Sequence, residues 1–338
     1  MDTLQFIWFI LFFLLLIAYA ILDGFDLGLG IISLFTRKRE NRDTLMNAVA
    51  PFWDGNEIWL MAAGGALFVA FPPVYRILWS AFTVPFMIWL LAMIARAVSI
   101  EFRHTLHGPS WQRIFDMAFG LGSLVPALLL GVVLANVLRG LPVDHEGVYQ
   151  GSFLSLLNPY SLLGGFLSLI TFMLHGAAFG ATRTRGDLQN TMRQYVSYTW
   201  VIMVVLWICL TVYTIFEARY LFDGIFKNAV FDGLFMLSLI SILVITISSI
   251  AQKDRHTFLA SSVAITCMLG MAGACLFPRV IPSNIDLMNS LTLAKGSASP
   301  KVLKIMLGVV LMVIPLALIY HVLIDRRFRG KIKTLEDS

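Results

Sequence analysis

Apolar residues along this chain fall into nine stretches, at about 5–35, 56–72, 78–100, 114–138, 160–181, 195–216, 229–250, 257–277 and 303–324, separated by short polar segments. An apolar run of about 20 residues matches a hydrocarbon layer about 30 Å thick. Backbone groups inside that layer must be hydrogen-bonded within the segment, so each stretch is predicted to be a transmembrane helix. Pro85, Pro126 and Pro315 fall inside the third, fourth and ninth stretches, where they predict local kinks accommodated by neighbouring helices. The first stretch has no basic start and no small-residue cleavage site ahead of its acidic motif, so it is expected to remain as the first span. The longest connections, about 139–159 and 278–302, are rich in Gly, Pro, Ser and Asn and leave no room for a soluble domain. The whole chain, 1–338, therefore reads as one all-α polytopic membrane domain.

Composition agrees with that pattern. The 338 residues are 58% hydrophobic and only 13% charged, against about 45–50% and about 25% in soluble domains. This excludes a secreted disulfide scaffold, a soluble nucleotide-binding enzyme and a nucleic-acid binder. The net charge of +5 reflects orientation in the membrane. If alternate loops share a side, 17 of the 25 basic residues lie together, from Arg37, Lys38 and Arg39 through Arg96, Arg183 and Lys253 to Arg329 and Lys333. That side is expected to be cytoplasmic, with the N-terminus outside and the C-terminus inside. Cys209, Cys267 and Cys275 lie within apolar stretches without metal or redox spacing.

The informative residues are acids next to apolar helices, since a charge at the bilayer centre costs at least about 2.5–3.5 kcal/mol unless paired or functional. Asp23 and Asp26 share one helix face. Gly24 and Gly28 form a surface that lets a second helix approach closely. The apolar pattern resumes at Ile31, so a buried, protonatable pair is expected, the alternative being acids at the cytoplasmic headgroups. Asp54, followed three residues later by Glu57, has the spacing of a capping box at the start of the second helix. Such a cap is compatible with proton handling at the membrane edge. Arg96 and Glu101 close the third helix, either as an interfacial anchor or, for Glu101, as the mouth of a polar route toward Asp54 and Asp23. Only His175 lies well inside a span, where it reads as a hydrogen-bonded packing residue. His104, His107, His145 and His256 fall in loops or at helix ends, and His321 lies near the inner end of the last helix. No Cys/His cluster, phosphate-binding glycine loop or nucleophile–base pair is evident.

The segments LDGFDLGLG (22–30), PFWDGNEIWLMAAGGALFVAFPPVY (51–75), LNPYSLLGG (157–165) and LFPRVIPSN (276–284) resemble the second subunit of the cytochrome bd-type quinol oxidases of bacterial respiratory chains. The resemblance runs nearly end to end. It implies nine helices arranged as two four-helix bundles plus one peripheral helix, in a bacterial inner membrane. It implies a partner, subunit I, that carries haem b and, in the usual version, haem d, and often a small single-helix accessory subunit. It further implies oxidation of quinol outside and reduction of O2 to water with cytoplasmic protons, which generates a proton-motive force without pumping. Asp54, after Trp53, matches the family's proton-route carboxylate; Asp23 and Asp26 match the acids beside it; Glu101 stands where some relatives have Asp at the start of the route. Glu57 stands where some relatives have Gln. Some members hold a structural quinone in this subunit, and Trp53 is a candidate for packing beside a quinone or a haem. A different class remains in view on the residues alone: a proton-coupled secondary transporter, for which buried acids and a glycine-interrupted helix would also serve. A third is a purely structural partner with Asp54 only a helix cap.

Overall fold

The computed structural model describes residues 2–103, 105, 108–225, 228–328 and 330–331. His104, His107, Arg329 and Lys333 lie outside the described residues. Among the described residues twelve α-helices follow in order: α1 (Thr3–Phe35), α2 (Arg39–Val49), α3 (Trp53–Ala70), α4 (Pro72–Ala81), α5 (Thr83–Phe102), α6 (Pro109–Arg139), α7 (Pro159–Arg183), α8 (Gly186–Glu217), α9 (Ala229–Ile250), α10 (Asp254–Leu276), α11 (Leu293–Gly296) and α12 (Pro300–Arg327). Among the described residues eight are long and apolar enough to cross a membrane: α1, α5, α6, α7, α8, α9, α10 and α12. The remaining predicted stretch, 56–72, is α3, whose 18 residues include Asp54, Asn56 and Glu57.

The second stretch ends close to the expected residue 72, but a separate short helix precedes the third span. The chain leaves helical geometry at Phe71, where Pro72 and Pro73 open α4, and again at Phe82 before α5. Proline is favourable in a first helical turn because its missing N–H is not needed there. For the same reason Pro85 is no kink: it sits in the first turn of α5. Pro126 and Pro315 do lie inside helices, α6 and α12. The polar stretch after α1 contains the short amphipathic α2, which buries Leu45, Met46, Ala48 and Val49.

α1 is the hub, packing against α3, α6, α7 and α10. Its crossing with α7 is very close. A Cβ on Gly176 would stand 2.6 Å from the Gly28 carbonyl carbon, and one on Gly28 would overlap the Phe172 carbonyl oxygen. Small residues at such crossings let backbones approach where lipid supplies no hydrophobic drive. α12 is the most exposed span and is held at separate points. The Trp8 indole Nε1 donates to the Leu303 carbonyl at 3.0 Å at one end, and Arg183 Nη1 donates to the Phe328 carbonyl at 2.6 Å at the other. Arg103, at the end of α5, bonds Asp116 of α6 at 2.8 Å and pairs with Asp43 of α2, and Arg42 reaches Asp116 at 3.3 Å. This network ties the basic loops to the helix ends. On the opposite side, strands β1 (Arg279–Ile281) and β2 (Leu291–Thr292) pair antiparallel. The Leu141 N–H donates to the Pro282 carbonyl at 3.0 Å, joining the two long loops into a small cap.

Candidate functional site

Tyr19, Asp23 and Asp26 follow one another at helical spacing, so α1 presents them together toward α3 and α5. All three are buried, and both aspartates have no solvent exposure. α5 buries Met93, Arg96, Ser99 and Ile100 on one face, which carries the Arg96 guanidinium into the same interior. There Arg96 Nη2 lies 2.7 Å from Asp23 Oδ1 and 2.7 Å from Glu57 Oε1. Arg96 is not an interfacial anchor. It lies on the buried face of the helix and is fully enclosed, where the carboxylates of Asp23 and Glu57 pair with it.

α3 supplies the second half of the site. Its inward face is Gly55, Asn56, Trp59, Ala63, Ala66, Leu67 and Ala70, at the three- and four-residue spacing of one helix side. Asn56 Nδ2 donates to Asp26 Oδ2 at 2.7 Å and to the Leu22 carbonyl at 2.9 Å. The capping box predicted from Asp54 and Glu57 does not form. α3 starts earlier, with Phe52 as its N-cap and no side-chain cap, and Glu57 is drawn instead to Arg96. Three carboxyls, Asp23, Asp26 and Glu57, thus gather around one guanidinium, with more acid than base to balance it. Tyr19 Oη, Asp23 Oδ2, Asp26 Oδ1 and Arg96 Nε and Nη1 are buried with no hydrogen-bond partner among the described residues.

The other predicted residues lie elsewhere. Asp54 is exposed on the outer side of α3, with exposed Ile58 and Met61 on the next two turns, and further along a Cβ on Gly64 or Gly65 would meet nothing within 4 Å. Glu101 is exposed at the end of α5, five residues or about 7.5 Å along the helix beyond Arg96. Trp53 is half-buried against the inner apolar core. Within the chain, Asp23 and Asp26 share one cluster, whereas Asp54 and Glu101 stand on its surface. Sequence reasoning placed neither Asn56 nor Tyr19 in the site and took Arg96 for an anchor. The signal for Arg96 was present, since an arginine within reach of a span is expensive unless paired.

Two of the four described histidines, His175 and His321, are engaged by polar neighbours within the chain. His175 is fully buried, with Nε2 2.9 Å from the Ile21 carbonyl and Nδ1 2.7 Å from Ser261 Oγ. The carbonyl can only accept, so Nε2 carries the hydrogen and Nδ1 accepts from the serine hydroxyl. Both ring nitrogens are committed. His321 likewise has both nitrogens within 3.3 Å of polar atoms, and His145 and His256 are exposed. Among the described residues no three His, Cys, Asp or Glu side chains converge on a possible metal position.

Fold and site define a polytopic helical membrane protein with an acid–arginine cluster locked between three helices. Residues 4–328 match the sequence model of the family described as cytochrome bd terminal oxidase subunit II. The chain is 33% identical to the cytochrome bd ubiquinol oxidase subunit 2 of Bacillus subtilis (strain 168), over 93% of each chain. It is 30% identical to the cytochrome bd-I ubiquinol oxidase subunit 2 of Escherichia coli (strain K12), over 99% of this chain and 97% of that one. A chain in the structure of bd oxidase from Geobacillus thermodenitrificans shares the fold, with a TM-score of 0.79 at 16% identity, covering 97% of this chain and 99% of that one. The chain belongs to the cytochrome bd terminal oxidase subunit II family. It is a multi-pass protein of the bacterial inner membrane and a subunit of a respiratory quinol oxidase. This membership sets the transporter reading aside.

Proposed function

We propose that this chain is the scaffold and proton-conducting half of a quinol oxidase, delivering cytoplasmic protons to oxygen chemistry housed in subunit I. The full complex would hold nine spans of this chain in two four-helix bundles with α12 peripheral, the haem-bearing subunit I, and a small single-helix accessory subunit. Quinol oxidised outside and protons consumed from inside would then build a proton-motive force without pumping. Haem b and haem d belong, on this reading, to subunit I, and every proton-handling group named below belongs to this chain.

The observation that carries the reading is the buried cluster itself. Unpaired buried polar atoms cost about 1–3 kcal/mol each, and Tyr19, Asp23, Asp26 and Arg96 together carry five of them. Water satisfies such atoms at low cost, and water between carboxyls within hydrogen-bond reach is what proton transfer requires. One guanidinium facing three carboxyls makes proton uptake by a carboxyl the neutralising response to added negative charge nearby. Glu101 at the inner end of α5 would collect protons. Asp54, turned outward among apolar residues, would pass them across the face covered by subunit I. That face also contains Gly64 and Gly65, where nothing in this chain lies within 4 Å of an added Cβ. Trp53 beside Asp54 would pack against the partner or a structural quinone.

The test is Asp54→Asn in the assembled complex. Because Asp54 makes no cap and is exposed, the exchange removes a titrating group at little structural cost. Oxygen uptake driven by quinol should fall by about tenfold or more, with haem content and subunit composition unchanged and activity restored by Asp54→Glu. Wild-type turnover in the Asn variant would reduce this chain to a hydrophobic partner.

A further inference from the structure

The orientation of Asn56 is fixed by its neighbours. Its Nδ2 faces the Leu22 carbonyl and the Asp26 carboxyl, so the flipped amide would set acceptor against acceptor. Oδ1 is therefore turned toward α12, where His321 Nε2 lies 3.3 Å away. On its other side the His321 ring is 2.9 Å from the Ala317 carbonyl through Nδ1. That carbonyl only accepts, so Nδ1 carries a hydrogen. Nε2 is then left between two partners of opposite kind: Asn56 Oδ1, an acceptor, and the Trp59 indole Nε1, a donor at 3.3 Å. A bare Nε2 accepts from Trp59 and repels the Asn56 oxygen. A protonated Nε2 does the reverse, making a charge-assisted bond to Asn56 and releasing Trp59.

α12 is seated to make this contact. Tyr320 lies so close to Gly55 that a Cβ there would be 2.6 Å from its ring. His321 is half-buried in the seam between α12 and α3. The charged groups on the elements packed against it are Asp23 and Asp26 of α1 and Asp54 and Glu57 of α3, with Arg96 of α5 behind them. On α12 itself Tyr320 adjoins it and Asp325 follows one turn later.

We propose that His321 is a positioning residue for Asp26. With its second proton it donates to Asn56 Oδ1 and braces the amide that donates to the Asp26 carboxylate; without it Nε2 accepts from Trp59, the amide keeps only its contacts to Leu22 and Asp26, and the more loosely held donor favours the neutral form of Asp26. The inference rests on the reading of Asp26 as part of the proton route. It adds an input from the α12 side, separate from the face that carries Asp54.

The test uses the whole complex in lipid nanodiscs, with His321→Gln, a permanent donor that does not titrate, and His321→Phe, which lacks the donor. Quinol-driven oxygen uptake is followed from about pH 5 to 8. H321F should be slower by about 3–10-fold, the size of one lost hydrogen bond to a charged or neutral partner, with haem spectrum and subunit ratio unchanged. H321Q should keep more turnover than H321F and lose a pH step that the parent shows. Equal rates and identical pH profiles in all three proteins overturn the proposal, as do two variants equally slow with the parent's profile shape. If H321F does not assemble, the H321Q profile alone decides. Infrared difference spectra separate this from failure of the route itself. The carboxyl band abolished by Asp26→Asn should move in H321Q or H321F, and an unmoved band refutes the link even if Asp26 proves essential. Should D26N retain full turnover, the route reading fails for Asp26 while a moved band still supports the contact.

Discussion

Removing the Arg96 guanidinium tests the physics of the buried cluster most directly. One nitrogen, Nη2, lies 2.7 Å from both Asp23 Oδ1 and Glu57 Oε1, and Arg96 and Asp23 have no exposure. Two unit charges about 4 Å apart attract by about 4 kcal/mol at an effective dielectric of 20. Much of that offsets the cost of taking the ions out of water, so the pair contributes modestly to net stability while its partners depend on each other. Breaking such a pair by removing one member costs about 3–5 kcal/mol, because an uncompensated charge is left inside. Arg96→Gln should therefore destabilise by about 3–5 kcal/mol. Asp23→Asn should cost less, since Glu57 still faces the guanidinium. The double variant R96Q/D23N should be more stable than R96Q alone, giving a coupling energy of the size found for residues in one network, about 0.5–3 kcal/mol. The assay is denaturant or thermal unfolding of the purified complex in one lipid mixture, with a full double-mutant cycle. Strictly additive losses, or an R96Q variant within about 0.5 kcal/mol of the parent as for an ordinary surface exchange, would refute the claim that these groups are mutually dependent.

Two further outcomes follow from the packing and the outer loop. Gly28→Ala places a methyl against the α7 backbone at Phe172 and Gly176. Overpacking of this kind costs about 1–3 kcal/mol, and a backbone neighbour gives less than a side chain, so lower thermal stability and reduced yield of the complex are expected; an unchanged melting temperature would contradict the crossing. In the loop after α6, the Asp144 carboxylate accepts from the Val148 and Glu146 amides at 2.9 Å and from the Gln150 side chain, and these bonds, the Val148 amide foremost, hold its pKa below the usual value. A depressed carboxylate pKa adds stability above the unfolded value and loses it as pH falls through the folded one. Amide-exchange protection at Glu146 and Val148 should accordingly be constant through neutral and mildly acidic pH and fail only below about 3.9, the ordinary aspartate value. Loss of protection near pH 6 would show that another group holds the turn.

The spans were legible because apolar runs of bilayer length have few other uses. The break at Phe71 was legible too, within a residue or two of the expected end at 72, and Pro72-Pro73 marks it; the interruption at Phe82 was not, because that residue is as apolar as a helix interior. α2 escaped notice for the opposite reason: Arg39, Glu40, Arg42 and Asp43 make a short stretch look like a solvated loop, although its other side buries Leu45 and Val49. The Asp54/Glu57 spacing was read correctly as a helix start and assigned the wrong job. An i, i+3 acid pair cannot by itself distinguish an N-cap from a position inside the first turn, and the competitor for Glu57 was an arginine 39 residues away. Long-range pairing of that kind leaves no periodic trace.

The deeper difficulty is that polarity does not mark the outside of a helix in a membrane. In water the polar face is the exposed one. In lipid, neighbouring helices and acyl chains are equally apolar, so periodicity leaves open which side of α3 points inward. Successive residues rotate by about 100° around a helix. Asp54, Asn56 and Glu57 therefore project in three directions: away from the chain, toward Asp26 of α1, and toward Arg96 of α5. Two of these are answered within the chain. The third, an acid facing outward on the same side as Ile58 and Met61, is costly against lipid, and that cost is the physical reason to place a protein subunit, rather than acyl chains, over this face.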